Sequence, residues 1–450
     1  MDRPLVVTGL GPLCAAGAGV EGLLASLATG RVPVTRYEPE TDGVPAAPFA
    51  LYVVESQTRD RCLREAERRD LPDDPELRLA LAALRLALLD ACITAENDAS
   101  GDGARILSRA ALVLSWEAPG LDRLQRAIVD ELRAPPATGD GANASGRDER
   151  AVLRAFYERH REAFYGTQSF LHLHLVARAL ELHGPTLFVN NACASGLYAL
   201  EAAASFLREG RADIALVAAA ECPRFPTKMM WFDDLGLYAR DGVVRPFDRD
   251  RSGVVFGEAG AALVLETAAH AESRGARVRC EYLGAGLAQE AWKVAVPDLS
   301  STWYADAARE ACARAGVSPE EIDVINVHGA ATTLSDLYEA RGLQAVWGDG
   351  FRSPELVALK PFFGHALGAS ALLEVIALIA SLDAGTLPAT PGFVTPDPKL
   401  GVAPRRVAGS TTCRTALKMS NGFAGFNAGA VFRRPMRDDG SSRAPSTTAT

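Results

Sequence analysis

The sequence predicts an α/β fold in which largely parallel sheets are covered by helices. Short apolar runs bounded by Gly or Pro recur along the 450 residues. Such runs are typical of strands buried on both faces, and helix-length stretches rich in Ala, Leu and Arg separate them, as in βαβ units. Segments 5–11 and 324–332 are each a short strand that breaks into a small-residue turn, and segments 187–196 and 357–368 each carry a candidate catalytic residue ahead of an Ala/Leu-rich helix. This similarity suggests an internal duplication.

The apolar runs are too short to be typical helices, so they predict strands. In chain order these are Leu5–Thr8, Ala111–Leu114, Leu187–Val189, Ile214–Ala219, Ala261–Leu265, Val324–Val327, Ala416–Met419 and Ala428–Phe432. Longer stretches of strong helix formers predict helices between the strands. These are Glu76–Ala95, Thr167–Leu182, Ser195–Arg208, Thr302–Ala315 and Leu367–Leu382.

Composition and charge argue against several classes of protein. The formal net charge of −9 disfavours non-specific binding to nucleic acid. We find no stretch long and apolar enough to cross a bilayer and no signal-type run at the start, so we expect a cytoplasmic protein without membrane contact. The eight cysteines are scattered, which argues against a disulfide framework and against a metal site. Segment 436–450 is small and polar and predicts a disordered tail.

The segment LFVNNACASG, residues 187–196, places a cysteine between a predicted strand and a predicted helix. Partial positive charge and free N–H groups at a helix N-terminus favour a thiolate, so Cys193 is a candidate nucleophile. Its small neighbours leave room for a substrate carbonyl, and backbone N–H groups there can bind an oxyanion. The alternative is a buried cysteine that packs as a small hydrophobe, which is our interpretation of the other seven.

Two histidines stand in similar turns. His328 follows a predicted strand and precedes GAAT, and His365 lies between glycines ahead of an apolar helix. Both positions leave space for a ligand beside the imidazole ring. We interpret the remaining histidines as structural or surface residues; these are His160, His172, His174, His183 and His270.

Three further features accompany these candidates. Lys360 lies in an apolar segment five residues before His365, and Glu374 lies nine residues after it. A buried lysine and a buried carboxylate need each other, so we expect them to pair. The segment SNGFAGFN from Ser420 is a Gly-rich turn that can bring backbone N–H groups and an aromatic ring to a substrate; alternatively, it is only a tight hairpin.

Taken in this order, the segments resemble the β-ketoacyl-ACP synthases, specifically the elongating class with a Cys-His-His site. The resemblance runs from about residue 6 to about residue 433. It is carried by ACASG around Cys193, RPFDRDRSGVVFGEAGAALVLE from Arg245, HGAATTLSDLYE from His328, LKPFFGHALGAS from Leu359 and SNGFAGFNA from Ser420. It implies a thiolase-like fold with two pseudo-twofold-related halves, residues 1–266 and 267–435, in a layered α-β-α-β-α core.

The resemblance also implies an activity, the decarboxylative Claisen condensation of an acyl group with malonyl-ACP. Cys193 is expected to carry the acyl group as a thioester. His328 and His365 are expected to stabilise the enolate that forms as CO₂ leaves. Backbone N–H groups of Cys193 and Phe423 are expected to bind the tetrahedral oxyanion, and the Phe423 ring to gate the acyl pocket.

Supporting residues and partners follow from the same resemblance. Lys360, paired with Glu374, is expected to set the charge and position of His328, and Thr332 to contact the phosphopantetheine arm. No cofactor is expected, because the substrates arrive on the phosphopantetheine of an acyl carrier protein. We expect a homodimer, or a heterodimer with a subunit like a chain-length factor. By family position, the residues predicted to dock the acidic carrier are Arg68, Arg69 and Arg240.

The sequence departs from the family pattern at several positions. Ala330 replaces a threonine, Ala424 a glycine and Phe426 a threonine, and residues 116–167 match poorly. These changes favour a specialised fatty-acid-like or type II polyketide pathway. Two alternatives remain: a relative that passes acyl groups to an alcohol or amine, and a non-catalytic partner subunit, which usually lacks the cysteine. A biosynthetic thiolase would carry a second cysteine near SNGFAGFN, where none occurs.

Overall fold

The structure, a computed structural model, describes residues 3–30, 34–37, 49–93, 102–133, 149–224, 226–348 and 354–436. The predicted tail, 436–450, lies outside these ranges apart from its first residue. The strands are β1 Leu5–Cys14, β2 Gly17–Ala18, β3 Thr35–Tyr37, β4 Phe49–Tyr52, β5 Ala111–Ser115, β6 Thr186–Val189, β7 Ile214–Glu221, β8 Phe256–Gly257, β9 Ala259–Thr267, β10 Cys280–Gln289, β11 Val324–Asn326, β12 Glu355–Val357, β13 Thr386–Leu387, β14 Gly409–Ser410, β15 Thr415–Gly422 and β16 Phe426–Arg433.

Helices separate most of these strands. They are α1 Gly19–Thr29, α2 Ser56–Arg61, α3 Glu65–Asp70, α4 Pro75–Asp90, α5 Asp102–Ser108, α6 Leu121–Arg133, α7 Glu149–Gly166, α8 Ser169–Leu180, α9 Ser195–Arg208, α10 Thr227–Asp234, α11 Ala268–Ser273, α12 Thr302–Ala315, α13 Thr333–Trp347, α14 Lys360–Phe363 and α15 Ser370–Ala384. All eight predicted strands and all five predicted helices are present. Their ends differ from the predicted ends by a few residues in several cases.

Ten of the strands form two groups with the same topology. The first group has the order β1-β9-β7-β5-β6 and the second the order β10-β16-β15-β11-β12. Numbered along the chain within each group, both orders are 1-5-4-2-3. The strand directions also match, because β9 and β16 each run antiparallel to both neighbours and the two outer pairings of each group are parallel. The predicted duplication is therefore confirmed.

The sheets are mixed, so the prediction of largely parallel sheets was wrong. A strand buried on both faces has a continuous apolar sequence whichever way it runs, and the sequence pattern does not distinguish the two directions. The groups join through a short antiparallel pairing of β1 with β10, from Leu5 opposite Tyr282 to Val7 opposite Cys280. The predicted division into residues 1–266 and 267–435 stays a prediction.

The two strand groups and the helices form five layers. Alternate residues of a strand point to opposite faces, and on β5 Val113 packs against the central helices α9 and α15, whereas Leu112 and Leu114 pack under α4 and α8. Helices α12 and α13 cover the outer face of the second group. The resulting order is α-β-α-β-α, as predicted.

The central helix α15 belongs to a segment that could cross a membrane by length and composition alone. Leu367–Ala384 has a mean hydropathy of 1.8, so the prediction that no such stretch exists was wrong. In the structure 94% of this segment is buried inside the protein. A helix surrounded by other core elements is apolar on all sides, which accounts for its composition.

Candidate active site

The turns that follow four strands meet at one cleft of about 700 Å³. Cys193 comes from the turn after β6, His328 from the turn after β11, His365 from the segment after β12, and Phe423 from the turn between β15 and β16. Thr332 lines the same cleft. The duplicated topology explains why Cys193 and His365 lie in the same cleft. They follow the equivalent strands β6 and β12, and each of these strands is followed by a central helix.

The cleft is built from strained turns. Nine non-glycine residues among those described have a positive φ, which costs an L-residue conformational energy. Four of the nine lie in the turns around the cleft: Ala192, Ala331, Leu367 and Ala424. Such strain persists only where the surrounding structure fixes it, and it concentrates at functional sites.

Cys193 lies in the turn between β6 and α9, as predicted. The Ser195 hydroxyl accepts the Asn191 N–H at 2.7 Å and donates to the Ala192 carbonyl at 2.6 Å, which holds the turn. A Cβ on Gly422 would lie 3.1 Å from the Cys193 nitrogen, a tight contact, so glycine favours the close packing of the end of β15 against this turn. The Phe423 backbone N–H consequently lies within hydrogen-bonding reach of the thiol.

The protonation of Cys193 differs from the predicted thiolate. Burial raises the pKa of the thiol well above its ordinary value, and the Glu117 carboxylate raises it further, against the opposing effects of Lys360, the Phe423 N–H and Lys228. The position of Cys193 at a helix N-terminus is visible in the sequence, whereas its burial is not. In the unloaded site the group is therefore a thiol.

The hydrogen bonds fix the tautomers of both cleft histidines. The Leu367 N–H donates to Nδ1 of His365 at 3.0 Å, and Nζ of Lys360, which has only donors, lies 3.4 Å from Nδ1 of His328. In a neutral ring whose Nδ1 accepts, the proton lies on Nε2. The ring centroids are 5.5 Å apart. The cleft thus contains two adjacent imidazoles that each offer one N–H donor.

Both histidines are neutral at physiological pH. Burial lowers the pKa of His328 well below its ordinary value, and Lys360, His365 and Lys418 lower it further. Burial, Lys360 and Lys418 act in the same way on the pKa of His365.

A buried charged triad supports the histidines from behind. Lys360 and Glu374 pair at 2.8 Å, as predicted, and both side chains are 0% exposed. Lys360 also donates to the His328 carbonyl oxygen.

Lys418 completes this triad and was not predicted from the sequence. It donates to the second oxygen of Glu374. Lys418 stands in ALKMS between apolar residues, the same signal that identified Lys360. Burial lowers the pKa of Lys418 to about 8, although Glu374 opposes the shift.

Two acidic residues of the motif HGAATTLSDLYE hold the turn after β11. Glu339 accepts the backbone N–H groups of His328 and Gly329 at 2.6 and 2.8 Å. Asp336 accepts the Ala331 N–H at 3.0 Å. Asp336 lies about one helical turn inside α13 and Glu339 about two turns, and both residues are 0% exposed. They were not singled out from the sequence, although their presence in a family motif was a usable signal.

Thr332 and Phe423 occupy the positions expected of them at the cleft. The Thr332 hydroxyl accepts the Ser335 N–H at 3.2 Å and so caps α13. The Phe423 ring stacks on Phe232 of α10, with centroids 5.0 Å apart and an interplanar angle of 7°. SNGFAGFN is both a hairpin turn and a wall of the cleft, so the two interpretations of this segment are compatible.

The arginines predicted to dock a carrier lie on the surface. Arg68 and Arg69 end α3, and Arg69 pairs with Asp70 at 2.9 Å with its side chain 74% exposed. Arg240, equally exposed, forms two hydrogen bonds of 2.7 Å with Asp233. None of the three lines the cleft, and their docking role stays a prediction.

The other histidines and cysteines lie away from the cleft lining. His172, for example, is buried in α8 and bonds to the Gly166 carbonyl at 2.7 Å. All eight cysteines are free. Within the described ranges, no group of three or more His, Cys, Asp or Glu side chains could hold a metal ion.

The neutral histidines predict a loss of stability in mild acid. Below about pH 6.5 histidines of the unfolded chain take up protons that buried His328 and His365 do not, so the contribution of these two residues to the free energy of unfolding falls as the pH drops. Buried Glu221 and Asp336, whose pKa values burial raises to about 7, contribute in the opposite direction. The expected contribution to the slope is about 1.4 kcal/mol per pH unit for each histidine. Urea titrations at several pH values between 7.5 and 5.5 should show that the double variant His328→Gln/His365→Gln loses less stability on acidification than the parent protein. The exposed-site variant His183→Gln should keep the parental slope; equal slopes in all three proteins would contradict this assignment.

Comparison with known proteins identifies the family. Residues 2–271 match the family described as "Beta-ketoacyl synthase, N-terminal domain", and residues 279–394 match "Beta-ketoacyl synthase, C-terminal domain". Nodulation protein E of Rhizobium sp. (strain N33) is 29% identical over 445 residues, 96% of this chain and 100% of that protein. "Putative polyketide beta-ketoacyl synthase 1" of Streptomyces halstedii is 30% identical over 458 residues, 97% of this chain and 99% of that protein.

A solved structure agrees with these matches. The ishigamide ketosynthase/chain length factor superposes with a TM-score of 0.78 at 27% identity, covering 97% of this chain and all of the matched chain. The fold is thus the thiolase-like fold expected from the sequence. The chain belongs to the β-ketoacyl synthase family of condensing, acyl-transferring enzymes.

Proposed function

We propose that this ketosynthase condenses an acyl group carried on Cys193 with malonyl-ACP and releases CO₂. The observation that carries the proposal is the pair of neutral imidazoles, His328 and His365, in the same cleft as the cysteine. Two N–H donors side by side suit the oxygen of a thioester whose α-carbon is losing a carboxylate, because negative charge develops on that oxygen.

The reaction divides into loading and condensation. In loading, the Cys193 sulfur bonds to the acyl carbonyl carbon, the bond to the pantetheine sulfur breaks, and the thiol proton ends on that sulfur. In condensation, CO₂ leaves the malonyl group, and Nε2–H of His328 and of His365 stabilise the enolate oxygen. The enolate carbon attacks the acyl carbonyl, and the Cys193 and Phe423 N–H groups hold the tetrahedral oxyanion until the sulfur departs. The departing thiolate takes up a proton from solvent and becomes the thiol again.

The buried triad gives the histidines their position and charge. Lys360 contacts both the carbonyl and Nδ1 of His328, which holds the ring with Nε2–H toward the cleft. The alternative of an acyltransferase toward an alcohol or amine rests on Ala330, which lines the cleft where the family has a hydroxyl. A non-catalytic subunit would have no need of Cys193 and the two oriented histidines together.

We further propose an acyl carrier protein as the substrate donor and a specialised, polyketide-like pathway. One relative is named "Putative polyketide beta-ketoacyl synthase 1", and a structural neighbour is named a ketosynthase/chain length factor.

Strand β6 is the edge strand at one end of the strand order, and Leu187 on it is 38% exposed. An edge strand with unpaired backbone groups can extend the sheet into a second subunit, so we propose a dimer, with either a second copy or a chain-length-factor-like partner.

Two further parts of the proposal concern cofactors and location. The reaction as written needs no cofactor, because the protein's own donors stabilise each developing charge. We propose a cytoplasmic enzyme. This rests on the burial of Leu367–Ala384, the one membrane-length apolar helix in the described part of the chain.

The assignment of Cys193 is tested by intact-protein mass spectrometry after incubation with a panel of acyl-carrier proteins. The parent enzyme should gain the mass of the acyl group, and adding malonyl-carrier protein should yield a β-ketoacyl-carrier product two carbons longer. Cys193→Ala should abolish the acyl mass shift completely, because the thioester has no other site. Cys222→Ala serves as a matched control at another buried cysteine and should still acylate. A label that persists in Cys193→Ala, or transfer of the acyl group to an alcohol or amine, would contradict the proposal.

A second prediction concerns the gate around Phe423. Ala424 has φ = 61° and ψ = 11°, a conformation that favours glycine, and its N–H donates to the Val294 carbonyl at 2.6 Å. Phe426 packs edge-on against Tyr198, with centroids 6.0 Å apart. We expect a stiff turn and a narrow range of acyl chains. Ala424→Gly combined with Phe426→Thr should broaden the range, measured as condensation rates across acyl-chain lengths.

The single variants serve as controls for this gate. Ala424→Gly alone should relieve backbone strain and stabilise the fold slightly, by about 1 kcal/mol. Phe426→Thr alone should act mainly on the packing beside Tyr198. An acyl-chain profile identical to that of the parent enzyme in the double variant would show that both residues only pack the turn.

A further inference from the structure

A pair of charged side chains lies beside the nucleophile and takes no part in the reaction described above. Glu117 follows β5, and its Oε1 is 3.8 Å from Sγ of Cys193. Lys228 of α10 donates to the other Glu117 oxygen at 3.1 Å, and the two side chains are only 20% and 22% exposed. Lys228 lies four residues before Phe232, so both face the same side of α10. This helix therefore contributes to the gate and to the charge beside Cys193.

The position of Glu117 is fixed by the structure behind it. Glu221, at the end of β7, accepts the Glu117 N–H at 2.7 Å and lies 3.8 Å from Nζ of Lys228. A Cβ on Gly368 would lie 3.1 Å from the Glu117 nitrogen. The turn after β5 is thus held against the segment that carries His365. Glu117 is the second residue of the segment that matches the family poorly, 116–167, and resemblance alone gave it no role.

Three charged side chains act on Cys193: Glu117, Lys228 and Lys360 of α14. The neutral His328 and His365 share the cleft with it. A carboxylate this close disfavours a thiolate by charge and favours the thiol by accepting its hydrogen, whereas an ammonium has the opposite effect. Glu117 is the acidic neighbour that raises the pKa of Cys193, after burial itself, and Lys228 is among the groups that lower it.

We propose that Glu117 and Lys228 are an opposed pair of positioning residues that sets the reactivity of Cys193. Glu117 accepts the S–H hydrogen and keeps the unloaded nucleophile a thiol, and Lys228 limits that effect. The inference rests on the proposed function in that Cys193 is the nucleophile. If Glu117 keeps Cys193 a thiol, the unloaded enzyme resists alkylation and oxidation, because both act on thiolates. The thiol proton then leaves only during acyl transfer.

The test is the rate of alkylation of Cys193 by iodoacetamide on the full chain between pH 6 and pH 10. Each midpoint is extrapolated from the rise of this rate with pH, because the pKa of the parent thiol lies above the range. The rate is followed by mass spectrometry of the peptide that contains Cys193, and no carrier protein is needed. Glu117→Gln keeps the shape and removes the charge; its midpoint should move down by about one pH unit or more. Lys228→Gln should move the midpoint up. At a pH below both midpoints, one unit corresponds to a tenfold change in rate.

A merely structural effect gives a different result. A loosened site exposes Cys193, and because burial is the largest cause of its raised pKa, the midpoint then moves down in both variants. Glu355→Gln, which removes a surface carboxylate paired with Arg405, should leave the midpoint unchanged. If Lys228→Gln does not fold, Lys228→Arg should keep the parental midpoint. Glu117→Gln then decides the matter when its free energy of unfolding in urea matches that of the parent enzyme, which excludes a loosened site. Unmoved midpoints, or midpoints moving in the same direction, would overturn the proposal.

The outcome is separable from the proposed function. Failure of Cys193 to acylate would remove the condensation mechanism but would leave the midpoint shifts measurable, since alkylation requires no substrate. Conversely, unmoved midpoints in an enzyme that still condenses would remove only the role of Glu117 and Lys228.

Discussion

Replacing either cleft histidine by alanine is expected to stop CO₂ release from malonyl-carrier protein while Cys193 still takes up an acyl group. The hydrogen bonds at Nδ1 leave Nε2–H of both rings to donate, and donors at a developing oxyanion typically contribute about 10²–10³-fold in rate. Loading needs the thiol and the oxyanion site but no enolate. Headspace CO₂ and intact-protein mass spectrometry on the same samples separate the two half-reactions.

The donor role can be distinguished from acid–base catalysis. Glutamine keeps an N–H donor but does not titrate, so His328→Gln and His365→Gln should retain more decarboxylation than the alanine variants. His183→Ala, at an exposed histidine, should match the parent enzyme in both half-reactions. Full decarboxylation in both alanine variants would contradict the assignment, and glutamine variants as inactive as the alanine variants would contradict the donor role.

Much of the fold could be predicted because its signals are local. Apolar runs fixed the strands, and the helix Ser195–Arg208 was predicted to the residue. Strand direction could not be predicted, because β9 and β16 each contain a continuous apolar run, and an antiparallel strand buried on both faces has the same composition as a parallel one. The membrane-like composition of α15 is explained by the core that surrounds it, and the sequence alone does not show that surrounding.

The site residues were found where chemistry and local context coincide. Cys193, His328 and His365 each stand in a small-residue turn, and the structure brings them to one cleft. Lys418 was missed because it was counted as part of an apolar strand, and Glu117 because its relation to Cys193 depends on two strand ends meeting in space. The predicted thiolate failed for a related reason, since helix position is visible in a sequence but burial is not.

The second large effect is expected at the centre of the buried triad. Glu374 accepts from Lys360 and Lys418, and all three side chains are 0% exposed. Glu374→Gln leaves two buried ammonium groups without a carboxylate. Breaking a buried ion pair by removing one partner typically costs about 3–5 kcal/mol, and the expected loss in the free energy of unfolding is of that size. Condensation should fall as well, because Lys360 then no longer holds His328 in place.

A double-mutant cycle tests whether this loss comes from unpaired charge. Lys418→Met removes one ammonium, so adding it to Glu374→Gln should recover part of the stability, and the two losses should be far from additive. The denaturation midpoint and slope in urea measure each loss. Glu355→Gln, at a surface pair with Arg405, should cost little, because exposed pairs contribute about 0–1 kcal/mol. Additive losses in the cycle would mean that Glu374 stabilises the core through packing rather than charge. Removing the second ammonium relieves its repulsion of Lys360, so condensation should recover in part together with stability in the double variant.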